Sequence, residues 1–237
     1  MAGGSPHRDR LIVALLAHDI KEAERIVKLL KSDVRTFEVG LPTYTALGPD
    51  VLEMVHRNDC QCFLDLKYHD IPSTVSAAVT HATKLGVAMM TVHAAGGAEM
   101  LLGAAEAARS AAKTRSTTPK MIGVTVLTSI ETLADIGIQF EVRDQVVRLA
   151  KMAKKAGLDG VIASPLEVRP VRAACGDAFL IVTTGVRPVG SARQDQRRIS
   201  SPVMAISAGA DYLVIGRPVL QSRDPKAMVQ SILKEIS

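Results

Sequence analysis

Phe63-Leu64-Asp65-Leu66-Lys67-Tyr68-His69-Asp70-Ile71-Pro72-Ser73-Thr74 reads as the junction of a strand with a helix. Phe63–Leu66 is an apolar run short enough for a buried strand, and a helical pattern follows over Thr74–Leu85. Side chains alternate along a strand, so Asp65 and Lys67 point to one side, and Asp70 follows where the strand gives way to a loop. Charges in such a run are costly to bury unless each pairs with the next. An ion pair at a strand end has an ordinary structural role as its simplest explanation, so its setting has to decide.

Working outward, the same alternation fills the chain. Strand candidates are Leu11–Leu16, Thr36–Val39, Cys62–Leu66, Met89–His93, Met121–Val126, Gly160–Ala163, Phe179–Thr183 and Tyr212–Ile215. Helical patterns lie at Ile20–Leu30, Pro49–Arg57, Thr74–Leu85, Ala98–Ala112, Arg143–Ala156, Pro165–Ala174, Pro202–Ala208 and Pro225–Ile236. Asp19 and Ser164 are placed as N-caps, and Gly86, Gly157 and Gly209 stand where helices end. Eight β-α units in a chain of this length predict an α/β fold, a single-domain (β/α)8 TIM barrel over residues 11–237, preceded by a polar tail at 1–10. A doubly wound open sheet is the alternative. It calls for a glycine-rich turn after the first strand, and Leu15–Asp19 has none.

Composition agrees. With 237 residues, 47% hydrophobic and only 3% aromatic, the chain has the aliphatic content of a parallel sheet covered by helices. The net charge of +5 and a pI near 9.2 raise the question of nucleic acid. The basic residues are scattered, apart from Arg187, Arg193, Arg197 and Arg198, and no aromatic residues interleave them for base stacking. A small anionic ligand accounts for that cluster, so no nucleic-acid partner is expected. Cys60, Cys62 and Cys175 lack zinc-ligand spacing and read as reduced thiols. No signal peptide and no membrane span are expected, which points to a cytoplasmic protein without a membrane partner.

A barrel places its chemistry at the C-terminal ends of its strands. Glu38, Asp65, Lys67, Asp70, His93 and Thr128 all fall at or just beyond such ends. Barrels commonly hold phosphate with the loops after strands seven and eight. Here those loops contain Gly185-Val186-Arg187 and Gly216-Arg217, where glycine admits close backbone approach and arginine binds an oxyanion in a bidentate manner. The length and polarity of residues 185–200 predict a lid over bound phosphate.

With these residues laid out, the chain resembles the orotidine 5'-phosphate decarboxylase family in its bacterial form. The matching segments are Leu11–Leu15, Phe63–Pro72, Thr91–Gly97, Gly123–Ser129, Gly185–Ser191, Asp195–Arg198 and Asp211–Pro218. The resemblance implies a homodimeric barrel that removes CO2 from orotidylate to give UMP, in pyrimidine biosynthesis, with neither a metal nor an organic cofactor. It implies that Lys67 protonates the developing C6 carbanion, that Asp65 crowds the substrate carboxylate and holds Lys67, and that Asp70 reaches in from a second subunit. Substrate binding is implied for Glu38, Ile71, Thr74 and Thr128. Arg187, Gln196, Gly216 and Arg217 would take the phosphate.

Two positions depart from the family pattern. The first strand of the family ends in an aspartate that accepts from ribose hydroxyls, and here the residue is Leu16. The second strand carries a lysine, and here it is Glu38. The family set of two lysines and two aspartates is neutral, whereas Glu38, Asp65 and Asp70 against Lys67 leave a formal −2. Either one carboxyl holds a proton or a cation enters. The expected activity is therefore a weak or diverged orotidylate decarboxylase. Two alternatives stand beside it: an Mg²⁺-dependent sugar-phosphate decarboxylase or aldolase of the same suprafamily, using Glu38 and Asp65, or a non-catalytic phosphate-binding paralogue. His93 reads as a structural histidine, and His69 as part of a dimer contact.

Overall fold

The computed structural model describes residues 7–112, 118–188 and 200–237. Eight parallel strands close in sequence order into a barrel, the expected architecture. They are β1 (Leu11–Leu15), β2 (Thr36–Gly40), β3 (Gln61–Tyr68), β4 (Met89–His93), β5 (Lys120–Val124), β6 (Gly160–Ala163), β7 (Leu180–Thr183) and β8 (Tyr212–Ile215). Closure comes from β1 against β8, with Leu11 beside Leu213 and Val13 beside Ile215.

The two faces of each strand divide the core. Leu11, Val13 and Leu15 of β1 pack outward against the helices, while Ile12 turns inward. Ile12, Phe63, Met89, Ile122, Val124, Ile162, Val182 and Val214 fill the barrel interior. The same alternation sends Phe63, Asp65 and Lys67 inward and Leu64 outward, so apolar packing gives way to charge towards the C-terminal end of β3.

Helices cover the outside: α1 (Ile20–Leu30), α2 (Leu41–Leu47), α3 (Asp50–Arg57), α4 (Pro72–Lys84), α5 (Ala98–Ala112), α6 (Val142–Lys155), α7 (Val168–Cys175), α8 (Pro202–Ser207), α9 (Arg217–Leu220) and α10 (Pro225–Glu235). Asp19 caps α1 by accepting from the Glu22 N–H at 2.8 Å, and Ser164 Oγ accepts from the Leu166 N–H at 3.2 Å. Gly86, Gly157 and Gly209 leave their helices with left-handed φ of 83°, 84° and 107°. Several strand and helix bounds shift by one or two residues, and larger details differ from the sequence reading. α2 and α9 were not anticipated, since α2 is built from Thr, Tyr and Pro between Gly40 and Gly48, and α9 is a single turn. Pro165–Glu167 is a 3₁₀ turn before α7, and β3 continues to Tyr68.

The opposite end of the barrel is fastened by Arg172 of α7. Its guanidinium donates to the carbonyls of Gly176, Asp177, Phe179 and Gly209 and to Asp211 Oδ2, all within 3.0 Å. Asp211 Oδ2 also accepts from the Ile181 N–H at 2.7 Å, which ties β7 to β8. No helix among the described residues is long and apolar enough to cross a membrane.

Candidate active site

At the C-terminal mouth, a cavity of about 350 Å³ opens over the inward side chains. Glu38, Asp65 and Lys67 line one side, Thr128 and Ser129 another, and Arg187, Gly216 and Arg217 the loops after β7 and β8. Ala14, Val124, Ile162 and Val214 form its apolar floor. Of the expected site residues, these seven (Glu38, Asp65, Lys67, Thr128, Arg187, Gly216 and Arg217) meet around one space.

The centre of the site is an ion pair. Lys67 Nζ lies 2.5 Å from Asp65 Oδ2, with the carboxylate buried and the ammonium partly open to the cavity. Thr91 Oγ1 donates to Asp65 Oδ1 at 2.8 Å and accepts from the Lys67 N–H at 2.8 Å. Lys67 has a left-handed φ of 52°, which is uncommon for a side chain of its size. The β3–β4 ladder shifts register at this point, with Leu64 beside Met90 but Tyr68 beside Val92. Backbone strain of this kind persists where the surroundings hold it, and such positions cluster at functional sites.

Glu38 points inward from β2, which is why its register partners are Ala14 on β1 and Phe63 on β3. Its carboxyl titrates well above the ordinary carboxylate range. Loss of water around it is the largest cause, followed by the charge of Asp65 and a hydrogen bond to Asp65, with Lys67 opposing. Both oxygens of Asp65 are engaged by Lys67 and Thr91, so a divalent cation held by Glu38 and Asp65 would have to displace one of them. Among the described residues no group of three His, Cys, Asp or Glu side chains is placed to hold a metal ion.

Leu16 lines the same cavity and is 41% exposed. It offers hydrocarbon where a ribose-binding carboxylate would offer acceptors.

Asp70, Ile71 and Thr74 lie outside the cavity. They form an exposed group at the start of α4, where Asp70 Oδ1 accepts from the Ile71 N–H at 2.7 Å and Ile71 is 64% exposed. Gln196, Arg193, Arg197 and Arg198 lie outside the described residues, as does most of the expected lid. His93 stacks on His69 with ring centroids 5.1 Å apart, and its Nδ1 accepts from the Ala95 N–H. Burial first, then the neighbouring His69 and Lys67, holds His93 below the usual imidazole range, in keeping with a neutral structural residue. Sequence reasoning missed Thr91 and Ser129. Thr91 carried a signal: it is the polar residue inside Met89–His93 and shares the inward face with Met89.

The model of the Orotidine 5'-phosphate decarboxylase / HUMPS family matches residues 9–232. The chain belongs to that family. Orotidine 5'-phosphate decarboxylase of Moorella thermoacetica is 48% identical over 233 residues, covering 97% of this chain and 92% of its own. The enzyme of the same name from Pelobacter propionicus is 47% identical over 231 residues, 97% and 95% of the two chains. Among solved structures, orotidine 5'-phosphate decarboxylase from Lactobacillus acidophilus superposes with a TM-score of 0.85 at 35% identity, covering 97% of this chain and 99% of that one. An uncharacterized conserved protein from Geobacillus kaustophilus gives 0.84 at 30% identity, covering 96% and 100%.

Proposed function

We propose that this chain is a carboxy-lyase acting on orotidine 5'-phosphate, releasing CO2 and leaving UMP. The observation that carries this reading is the Asp65–Lys67 pair, 2.5 Å apart on one side of a cavity that Arg187 and Arg217 also line. Breaking the C6–carboxylate bond leaves an electron pair on C6, and the Lys67 ammonium is placed to give it a proton. An ammonium held in advance by Asp65 stabilises charge that appears only as the bond breaks, so its benefit falls on the transition state. Asp65 beside the substrate carboxylate adds repulsion that departing CO2 relieves.

Arg187, Gly216 and Arg217 bind the phosphate, joined by Gln196, and Thr128 meets the pyrimidine. Two copies assemble, with Asp70, Ile71 and Thr74 of each completing the other's cavity; exposure of all three in the single chain supports this. Glu38 contacts the substrate as a neutral acid. The site serves pyrimidine synthesis in the cytoplasm, with no metal in the reaction.

Leu16 lowers the rate. Each ribose hydroxyl bond lost costs about 1–3 kcal/mol, and each 1.4 kcal/mol or so is a factor of about ten in rate. The test is loss of orotidylate ultraviolet absorbance by the purified protein, with EDTA and with Mg²⁺. Turnover indifferent to both is expected, and Leu16→Asp with Glu38→Lys should raise it by about tenfold or more. Absence of turnover in both proteins, or turnover that requires Mg²⁺, sinks the proposal.

A further inference from the structure

We propose that Thr91 is the residue that positions the Asp65–Lys67 pair, an inference that rests on that pair being the reacting one. Thr91 is fully buried in β4, on the inward face it shares with Met89. Its hydroxyl spends its one proton on Asp65 Oδ1 and accepts the Lys67 backbone N–H, both at 2.8 Å. The single oxygen therefore touches both partners of the ion pair by routes other than the ammonium itself.

The backbone explains why this matters. Between the pairs Leu64–Met90 and Tyr68–Val92, β3 advances four residues while β4 advances two. The excess is taken up at Asp65–Lys67, and Lys67 adopts its φ of 52° there. An N–H thrown out of the ladder inside a barrel needs another acceptor, and the Thr91 hydroxyl is that acceptor. The same hydroxyl fixes the rotation of the Asp65 carboxyl, which leaves Oδ2 turned towards Lys67 Nζ. Thr91 thus holds the kink that aims the lysine and the carboxylate that receives it. It is not among the residues that line the cavity, so its effect on chemistry passes through Asp65 and Lys67.

Thr91→Val keeps size and branching but removes the hydroxyl, and Thr91→Ser keeps the hydroxyl but removes the methyl. The readouts are kcat and KM for orotidylate, UMP affinity by calorimetry, and hydrogen exchange at the Lys67 amide. Thr91→Val should lose about ten- to a hundredfold in kcat, the scale of an ångström-sized misplacement. Its KM and UMP affinity should stay within about twofold, because the lost interaction serves the transition state. Exchange at the Lys67 amide should accelerate, and Thr91→Ser should restore slow exchange and most of kcat. An unchanged kcat in Thr91→Val overturns the inference. So does a parallel loss of kcat, KM and UMP affinity that serine does not repair. If the unaltered protein turns over no orotidylate, the functional reading falls and exchange alone decides this one. Acceleration in valine reversed by serine then supports Thr91 as the positioning residue, and exchange equal to that of the unaltered protein refutes it.

Discussion

Glu38→Gln should stabilise the protein, by an amount that grows with pH. Glutamine copies the shape of a protonated glutamate and keeps a donor for Asp65, so the replacement isolates the proton. In the unfolded chain Glu38 titrates near 4.5, and in the fold burial and Asp65 raise it well above that. Below 4.5 both states hold the proton and Glu38 contributes nothing. Above it the unfolded state releases the proton while the folded state keeps it, so stability falls as pH rises. Across that window the loss is about 1.4 kcal/mol per pH unit. It levels off once Glu38 ionises within the fold. Glutamine has no such term, and the other titrating groups are common to both proteins. The difference in unfolding free energy, variant minus unaltered, should therefore climb from its value near about pH 4 at about 1.4 kcal/mol per pH unit before reaching a plateau. Guanidinium unfolding at several pH values, with m-values checked for constancy, measures it. A difference that stays flat with pH, or one that moves in favour of the unaltered protein, refutes the reasoning.

Two further outcomes concern the scaffold. Arg172→Ala leaves four carbonyls and one carboxylate oxygen without their guanidinium donor, so about 2–4 kcal/mol of stability should be lost, read from the shift in denaturation midpoint. Gly160→Ala should cost about 3 kcal/mol or more, because the new Cβ would sit 2.3 Å from the Leu180 carbonyl oxygen on the adjacent strand, where only backbone movement gives relief; a thermal melt checks it.

The barrel was legible because burial and periodicity speak together. Most strands are short aliphatic runs, and several covering helices carry a side-chain cap or a terminal glycine, so neighbouring segments agree on one architecture. The mouth was legible for a different reason: inward-facing charge at strand ends has no place in an apolar core, and Asp65, Lys67 and Glu38 announced themselves by that contrast. What escaped was local backbone. Nothing in Leu66-Lys67-Tyr68 foretells a left-handed lysine, since the register shift arises from how β3 meets β4 and not from either strand alone. Thr91 was passed over for a related reason. Threonine suits a strand by propensity, and only the kink in the neighbouring strand gives its hydroxyl a task. Ile71 and Thr74 were named from resemblance and Asp70 from its place after a strand end, and a single chain leaves all three on its surface.

Leu16 and Glu38 make more sense together than apart. In the pattern the resemblance implies, position 16 carries an aspartate and position 38 a lysine, charges of opposite sign. Glu38 lies beside Ala14 in the β1–β2 register, and Leu16, one residue past the end of β1, lines the same cavity, so the two positions are neighbours at the mouth. A lysine at 38 would leave a formally neutral set with Asp65, Lys67 and Asp70, whereas an aspartate at 16 beside an ionised Glu38 would set carboxylates against each other. Leucine at 16 adds no carboxylate beside Glu38, whose carboxyl is pushed towards its protonated form by burial and by Asp65. The protonated carboxyl still supplies what the lysine would supply to Asp65, a hydrogen-bond donor, and gives up only the charge. The ammonium of Lys67 then remains the positive charge closest to Asp65. Leu16→Asp alone would add a carboxylate beside Glu38, which is why the double replacement is the one that separates a diverged decarboxylase from a barrel that has lost its chemistry.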